Sequence, residues 1–175
     1  MKLRHYDHDG RARFITFCTH KKIPLLTNNR FRKIFINALS DIRIRYELKL
    51  LGYVIMPDHV HLVVVPPEEI KLGLVIGELK MQSSKEIHEL LKRTNSIIMR
   101  RLIAQRDGRQ LFVFWQRRCY DHNCRNTESV WEKVNYCHNN PVRKGLVARP
   151  EDWIWSSYRF YAGYNDAVLK MDIAE

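Results

Sequence analysis

The 175-residue chain has no C-x-x-C pair, no Gly/Ser-rich linker, no internal repeat and no long apolar run. Each absence removes a class of protein. The four cysteines, Cys18, Cys119, Cys124 and Cys137, fit no zinc-ribbon spacing and read as reduced, small buried side chains of a cytosolic chain. The longest apolar runs, Val54-Ile55-Met56 and Leu62-Val63-Val64-Val65, are far too short to cross a bilayer, so no membrane partner is expected. The opening Met1-Lys2-Leu3-Arg4-His5-Tyr6-Asp7 has no apolar h-region, so no secretory signal is expected either. Acidic residues are also scarce: 19 Asp and Glu stand against 30 Lys and Arg, a formal net charge of +11.

The rest of the composition is that of a folded chain. Hydrophobic residues make up 45% and aromatics 11%, too much core material for disorder. One domain over 1–175 is expected, with a tail from about 145 to 175. The surplus of positive charge points to an acidic partner, nucleic acid first. It is also clustered. Residues 1–50 carry 12 Lys/Arg against 4 Asp/Glu, and residues 91–118 carry 8 against the single Asp107. Arg13, Lys92, Arg93, Arg100, Arg101, Arg117, Arg118 and Lys133 are the candidate phosphate contacts. These charges alternate without a wide apolar face, unlike a membrane-surface helix.

Periodicity places the elements. Arg13–Thr19 is β-branched and aromatic, a strand. A helix is predicted from about Arg30 to Tyr46, with Phe31, Ile34, Phe35, Ala38, Leu39 and Ile42 at helical spacing. Strands over Leu48–Met56 and His59–Val65 follow as a hairpin across Pro57-Asp58. The next helix spans about Glu69–Arg93, and residues 94–106 read as a further helix or a turn of one. Phe112–Tyr120 reads as the fourth strand. A last helix, capped at Asn126-Thr127, is expected to reach Asn139 and to be ended by Pro141. The order β-α-β-β-α-(α)-β-α implies an α+β fold, a ferredoxin-like antiparallel sheet flanked by helices.

Two features carry chemistry. In His59-Val60-His61 the imidazoles lie two apart on a strand, so they share one face while Val60 and Leu62 take the other. Paired imidazoles can hold one divalent metal, but H-x-H is common and a third ligand is needed. In the last helix Val130, Trp131, Val134 and Cys137 fall on one stripe, and Tyr136 lies off it. Tyr136 neighbours Glu132, Lys133 and Asn140 at helical spacings, so a phenol and a carboxamide share the polar face. Packing at a surface edge explains a lone tyrosine; a phenolic nucleophile beside a metal-ligating Asn140 explains the pair.

The segment Tyr53-Val54-Ile55-Met56-Pro57-Asp58-His59-Val60-His61-Leu62-Val63 resembles the His-hydrophobic-His segment of single-tyrosine HUH transposases. Tyr136-Cys137-His138-Asn139-Asn140-Pro141-Val142-Arg143-Lys144-Gly145-Leu146-Val147 resembles their catalytic-tyrosine segment. Phe114-Trp115-Gln116, Tyr120-Asp121-His122 and Pro150-Glu151-Asp152-Trp153-Ile154-Trp155-Ser156-Ser157-Tyr158 resemble the branch called REP-associated tyrosine transposases, relatives of the IS200/IS605 enzymes. The likeness runs from about Arg13 to Tyr161.

The resemblance implies a ferredoxin-like HUH fold and a metal-dependent endonuclease and strand transferase for DNA transposition. Mg²⁺ or Mn²⁺ would be held by His59, His61 and Asn140, and Tyr136 would act alone through a 5′-phosphotyrosine. The implied partner is single-stranded DNA with a palindromic hairpin, met by a monomer or homodimer at the nucleoid of a bacterial-type cytoplasm. Lys133 and solvent are the candidate proton acceptors. Phe14, Phe112, Trp115, Trp153 and Trp155 are weighed as base-stacking groups, with core packing as the expected role of each, and Ser156-Ser157 as a helix cap. The competing readings are a non-catalytic nucleic-acid-binding module on the same topology, and a metal-dependent nuclease in which water attacks.

Overall fold

The computed structural model describes residues 10–67 and 69–173. The opening segment, with Lys2 and Arg4, lies outside the described residues. Its elements are β1 (Arg13–Cys18), α1 (Asn29–Tyr46), β2 (Lys49–Ile55), β3 (His59–Val65), α2 (Leu72–Arg93), β4 (Ile103–Arg106), β5 (Arg109–Phe112), β6 (Tyr120–Asn123), α3 (Thr127–Arg143) and α4 (Tyr158–Tyr161). The main sheet has the order β2-β3-β1-β6, with every neighbouring pair antiparallel. Helices α1 and α2 pack together over one face, and α3 packs on β2 and β3. This is the expected ferredoxin-like α+β arrangement.

Strand alternation sorts the core into two layers. Ile15, Phe17, Tyr53, Ile55, Val60, Leu62 and Val64 face Phe35, Leu39, Ile42, Val75 and Leu79 of α1 and α2. Phe14, Val54, Met56 and Val63 face Val130, Val134 and Cys137 of α3. A β-bulge between Leu50 and Gly52 shifts the register against β3, so Leu50 joins the first layer and Leu51 the second. Gly52 lies under α3: a Cβ there would sit 3.1 Å from Val134 Cγ2, so a larger residue requires that side chain to shift by a few tenths of an ångström.

Three elements and the orientation of one residue differ from the sequence reading. Residues 94–106 hold a 3₁₀ turn, Ile97–Leu102, and then β4 in place of a helix. Asp107 and Gly108, at φ 48 and 74, make the two-residue turn that pairs β4 with β5. The fourth strand of the main sheet is Tyr120–Asn123, in place of Phe112–Tyr120. Phe114 and Trp115 are consecutive yet both buried in the α1/α2 layer, packed edge-on to Phe31 and Phe17 respectively, which a regular alternating strand does not allow. Pro141 does not end α3, which continues to Arg143. Pro141 forfeits its own N–H bond and crowds the Cys137 carbonyl, but only two helical residues follow it; the helix stops at Gly145 (φ 66), where Leu146 N–H donates to the Pro141 carbonyl and Gly145 N–H to that of Val142. Trp131 is off the buried stripe; it is exposed and packs its ring edge on Tyr161.

The tail covers the open edge of β2. Ile55 N–H donates to the Trp155 carbonyl at 2.9 Å and Ser157 N–H to that of Tyr53 at 3.0 Å. Asp172 N–H donates to the Leu50 carbonyl, and its carboxylate accepts from Leu50 N–H and Arg43. A bare strand edge is an aggregation template, and these bonds close it. Ser157 caps no helix with its side chain; its Oγ bonds Tyr53 N–H (3.1 Å) and His138 Nε2 (2.9 Å), tying the tail to α3.

Candidate active site

The site lies between β1, β3 and α3. His59 and His61 stand on the α3 face of β3, their rings 4.7 Å apart, while Val60 and Leu62 fill the opposite layer. The register sets Thr16 of β1 opposite His61, and Thr16 Oγ1 meets His61 Nδ1 at 2.7 Å. In the Pro57-Asp58 turn, the Asp58 carboxylate accepts from His59 Nδ1 at 2.6 Å. Asp58 can only accept, so His59 carries its proton on Nδ1 and offers the lone pair of Nε2; His61 does the same when its Nδ1–H donates to Thr16 Oγ1. Burial, and the nearby His59, hold the pKa of His61 down to about 3, so its ring is neutral near pH 7.

Helix α3 supplies the remaining groups. Its N-cap is a reciprocal Asn126–Ser129 box, and its apolar stripe, Val130, Val134 and Cys137, fixes its rotation on the sheet. That rotation turns Tyr136 and Asn140 toward the histidines. The Tyr136 ring meets His61 at 5.3 Å and Phe14 at 5.7 Å, both edge-on, and Arg143 lies 5.3 Å over it. Phe14 also stacks on His61 at 5.1 Å, so it braces both rings. Asn140 is 3% exposed.

His61 Nε2 and Asn140 Oδ1 are buried with no hydrogen-bond partner. Each such orphan costs about 1–3 kcal/mol. Among the described residues no three His, Cys, Asp or Glu side chains cluster as a metal site. The donor set here is two imidazoles and one amide oxygen, which fits a divalent cation that accepts nitrogen and oxygen together. His59, His61, Tyr136 and Asn140 all line one cavity of about 520 Å³.

The same cavity is lined by Lys22 and Lys144, which the sequence reading did not single out. Lys144 had a signal, being two turns beyond Tyr136 in a segment already marked. Lys22 had none: it and Lys21 take left-handed conformations (φ 54 and 51), a strained pair at the cavity rim. Thr16 and Asp58 were likewise missed as orienting groups, because their roles depend on strand register and turn geometry.

The candidate phosphate contacts separate. Arg13 is a correction: it is 3% exposed and its guanidinium holds Asp121 in a two-pronged pair, 2.9 Å from Nε and 2.5 Å from Nη2, which joins β1 to β6. Lys92 pairs with Glu89, and Arg93 ends the same helix, in the layer across the sheet from α3. Arg100 and Arg101 are exposed in the 3₁₀ turn, and Arg117 and Arg118 in the link to β6. None of these six lines the cavity. Lys133 stands beside the site, 5.9 Å over Phe14. Its hydrogen bond to Glu132 pushes its pKa up, which favours the charged form. The weighed aromatics pack inward: Trp115 and Trp155 are core, Trp115 Nε1 donates to Ser83 Oγ, and Trp153 Nε1 donates to the Ile55 carbonyl. Phe112 is half-buried against His88. No helix among the described residues is long and apolar enough to cross a membrane.

Comparison with known proteins agrees with this fold. Residues 12–139 match the family described as "Transposase IS200 like". The chain is 28% identical over 131 residues to a Haemophilus influenzae protein assigned to the REP-associated tyrosine transposases, covering 74% of this chain and 68% of that one. It is 23% identical over 156 residues to a REP-associated tyrosine transposase of Escherichia coli, covering 89% and 80%. A solved REP-associated tyrosine transposase bound to a REP hairpin superposes with a TM-score of 0.72 at 22% identity, over all of this chain and 94% of that one. The matched span takes in β1, the paired histidines of β3 and the Tyr136 turn of α3, and the chain belongs to the IS200-like transposase family.

Proposed function

We propose that the protein cleaves and rejoins single-stranded hairpin DNA through a covalent bond to Tyr136. The observation that carries this reading is the convergence of two orphaned buried donors, His61 Nε2 and Asn140 Oδ1, on the cavity that Tyr136 lines. His59, His61 and Asn140 are the residues that would hold Mg²⁺ or Mn²⁺. Bound there, the cation would supply Lewis-acid polarisation and charge neutralisation at the scissile phosphate.

The chain's own groups do the rest. Thr16 and Asp58 keep the imidazoles in one orientation. Tyr136 Oη attacks phosphorus: the Oη–P bond forms, the P–O3′ bond breaks, and the products are a 5′-phosphotyrosine and a free 3′-hydroxyl. The phenolic proton passes to solvent, and the departing 3′-oxygen takes one from it, so the step balances. Arg143, 5.3 Å over the ring, favours the negative charge that develops on it. One phosphoester replaces another, so a 3′-hydroxyl can reverse the step without ATP. Lys22 and Lys144 at the cavity, and the net charge of +11, suit a polyanionic strand. The hairpin bound by the solved relative supports a palindromic substrate here.

The test is a labelled single-stranded palindrome with Mn²⁺, followed on a denaturing gel. Wild-type protein gives a protein–DNA adduct; Tyr136→Phe gives none and still binds. Chelation with EDTA stops adduct formation and spares binding. Cleavage that survives in Tyr136→Phe assigns the attack to water and overturns the proposal, as does binding without cleavage under any metal.

A further inference from the structure

Strand β6 reverses the usual partition of side chains. Its sequence is Tyr120-Asp121-His122-Asn123. Asp121 is the buried member, 8% exposed and clasped by Arg13, while Tyr120 is 52% exposed and His122 is exposed as well. A half-buried strand ordinarily keeps its aromatic side inward and its carboxylate in water. Here an internal ion pair anchors the strand from one side and leaves two rings free on the other. Those rings lie parallel, 6.3 Å between centroids and 5° between planes.

The register says which way they face. Thr16 is the cross-strand partner of both His61 and Tyr120, so Tyr120 shares the α3 face with the catalytic groups. It stands two strand spacings, about 9.5 Å, from the His61 position. His122 pairs with Phe14, which packs on His61 and Tyr136. Lys133 of α3 lies 5.9 Å over Phe14, the cross-strand partner of His122, and hydrogen-bonds Glu132. The rings therefore lie on the sheet face that carries the cavity, one strand beyond the Thr16 that lines it, with Lys133 beside them.

We infer that Tyr120 and His122 form a base-stacking shelf for the single strand leaving the active-site cavity. This rests on the reading of the cavity as a DNA-cleaving site and adds a subsite to it. The occupant is the flank of single-stranded DNA beside the scissile phosphate: its unpaired bases offer π faces to the two rings, and its phosphate meets Lys133. Aromatic faces take any base, so the shelf contributes affinity and strand path with little sequence preference.

The experiment uses the full chain and hairpin oligonucleotides with 2-aminopurine moved one position at a time through the single-stranded flank. Wild-type protein quenches the probe at one or two adjacent positions next to the cleavage point. Tyr120→Ala with His122→Ala loses that quenching and binds about 10-fold more weakly. Tyr120→Trp restores both, and the adduct forms at saturating DNA in every variant. An abasic residue at the quenched position weakens wild-type binding by a similar factor and leaves the double variant unchanged. A wild-type protein that binds and cleaves while the double variant keeps its affinity and quenching overturns the shelf alone. A wild-type protein that binds no single strand overturns the cleavage function and the shelf together.

Discussion

The two faces of the main sheet are built from the same strands and have opposite characters. Toward α1 and α2, strand β3 presents Val60, Leu62 and Val64 to a continuous apolar layer. Toward α3 it presents His59 and His61 first and Val63 after them. The first face lowers the free energy of folding by burying apolar area. The second gives some of that up, since it holds unpaired donors where apolar atoms would pack better. One alternating strand can thus serve as both scaffold and active site, and the two roles are separable by substitution.

The largest separation is expected for Asn140→Leu. Replacing an orphaned buried carboxamide by an apolar side chain should lower Mn²⁺-dependent adduct formation at least about 100-fold. The melting temperature without metal should hold or rise by a few degrees, roughly 1 kcal/mol. A large drop in melting temperature would mean that Asn140 serves the fold. On the other face, Leu62→Ala should cost about 2–5 kcal/mol in urea unfolding, with the adduct still formed at low temperature. Loss of chemistry in a folded Leu62→Ala protein would erase the distinction between the faces.

Acid should act through the α3 face as well. Burial lowers the pKa of His61 to about 3 and of His138 to about 4, below the ordinary value of 6.5. Between those folded values and 6.5 the unfolded chain binds more protons, so stability is full above pH 6.5 and is lost as pH falls toward 4. His138→Gln should flatten that fall by up to about 3 kcal/mol in metal-free protein, measured as urea midpoints against pH. An unchanged slope would place the acid sensitivity elsewhere. The smallest effect is expected at Gly52. Gly52→Ala should push Val134 outward by a few tenths of an ångström, at about 1 kcal/mol or less, and a Val134→Ala partner should relieve it in a double-mutant cycle.

Much of the site was legible because it obeys local periods. Two residues apart on a strand puts His59 and His61 on one face, and four apart on a helix sets Asn140 one turn beyond Tyr136. The groups that complete it are non-local. Thr16 meets His61 across 45 positions, and Arg13 meets Asp121 across 108, which turns a supposed phosphate contact into an internal brace. The Asp107-Gly108 turn was a local signal that the periodic reading passed over in favour of a helix.

By itself the sequence determined the three long helices, the first three strands of the main sheet and the positive charge, which follow from side-chain period and composition. Its likeness to the family segments singled out His59, His61, Tyr136 and Asn140. Tertiary structure alone decided which cations reach the cavity, how Thr16 and Asp58 aim the imidazoles, and that the tail closes the edge of β2. Those depend on strand register and long-range hydrogen bonds, where a shift of one residue turns every side chain to the other face.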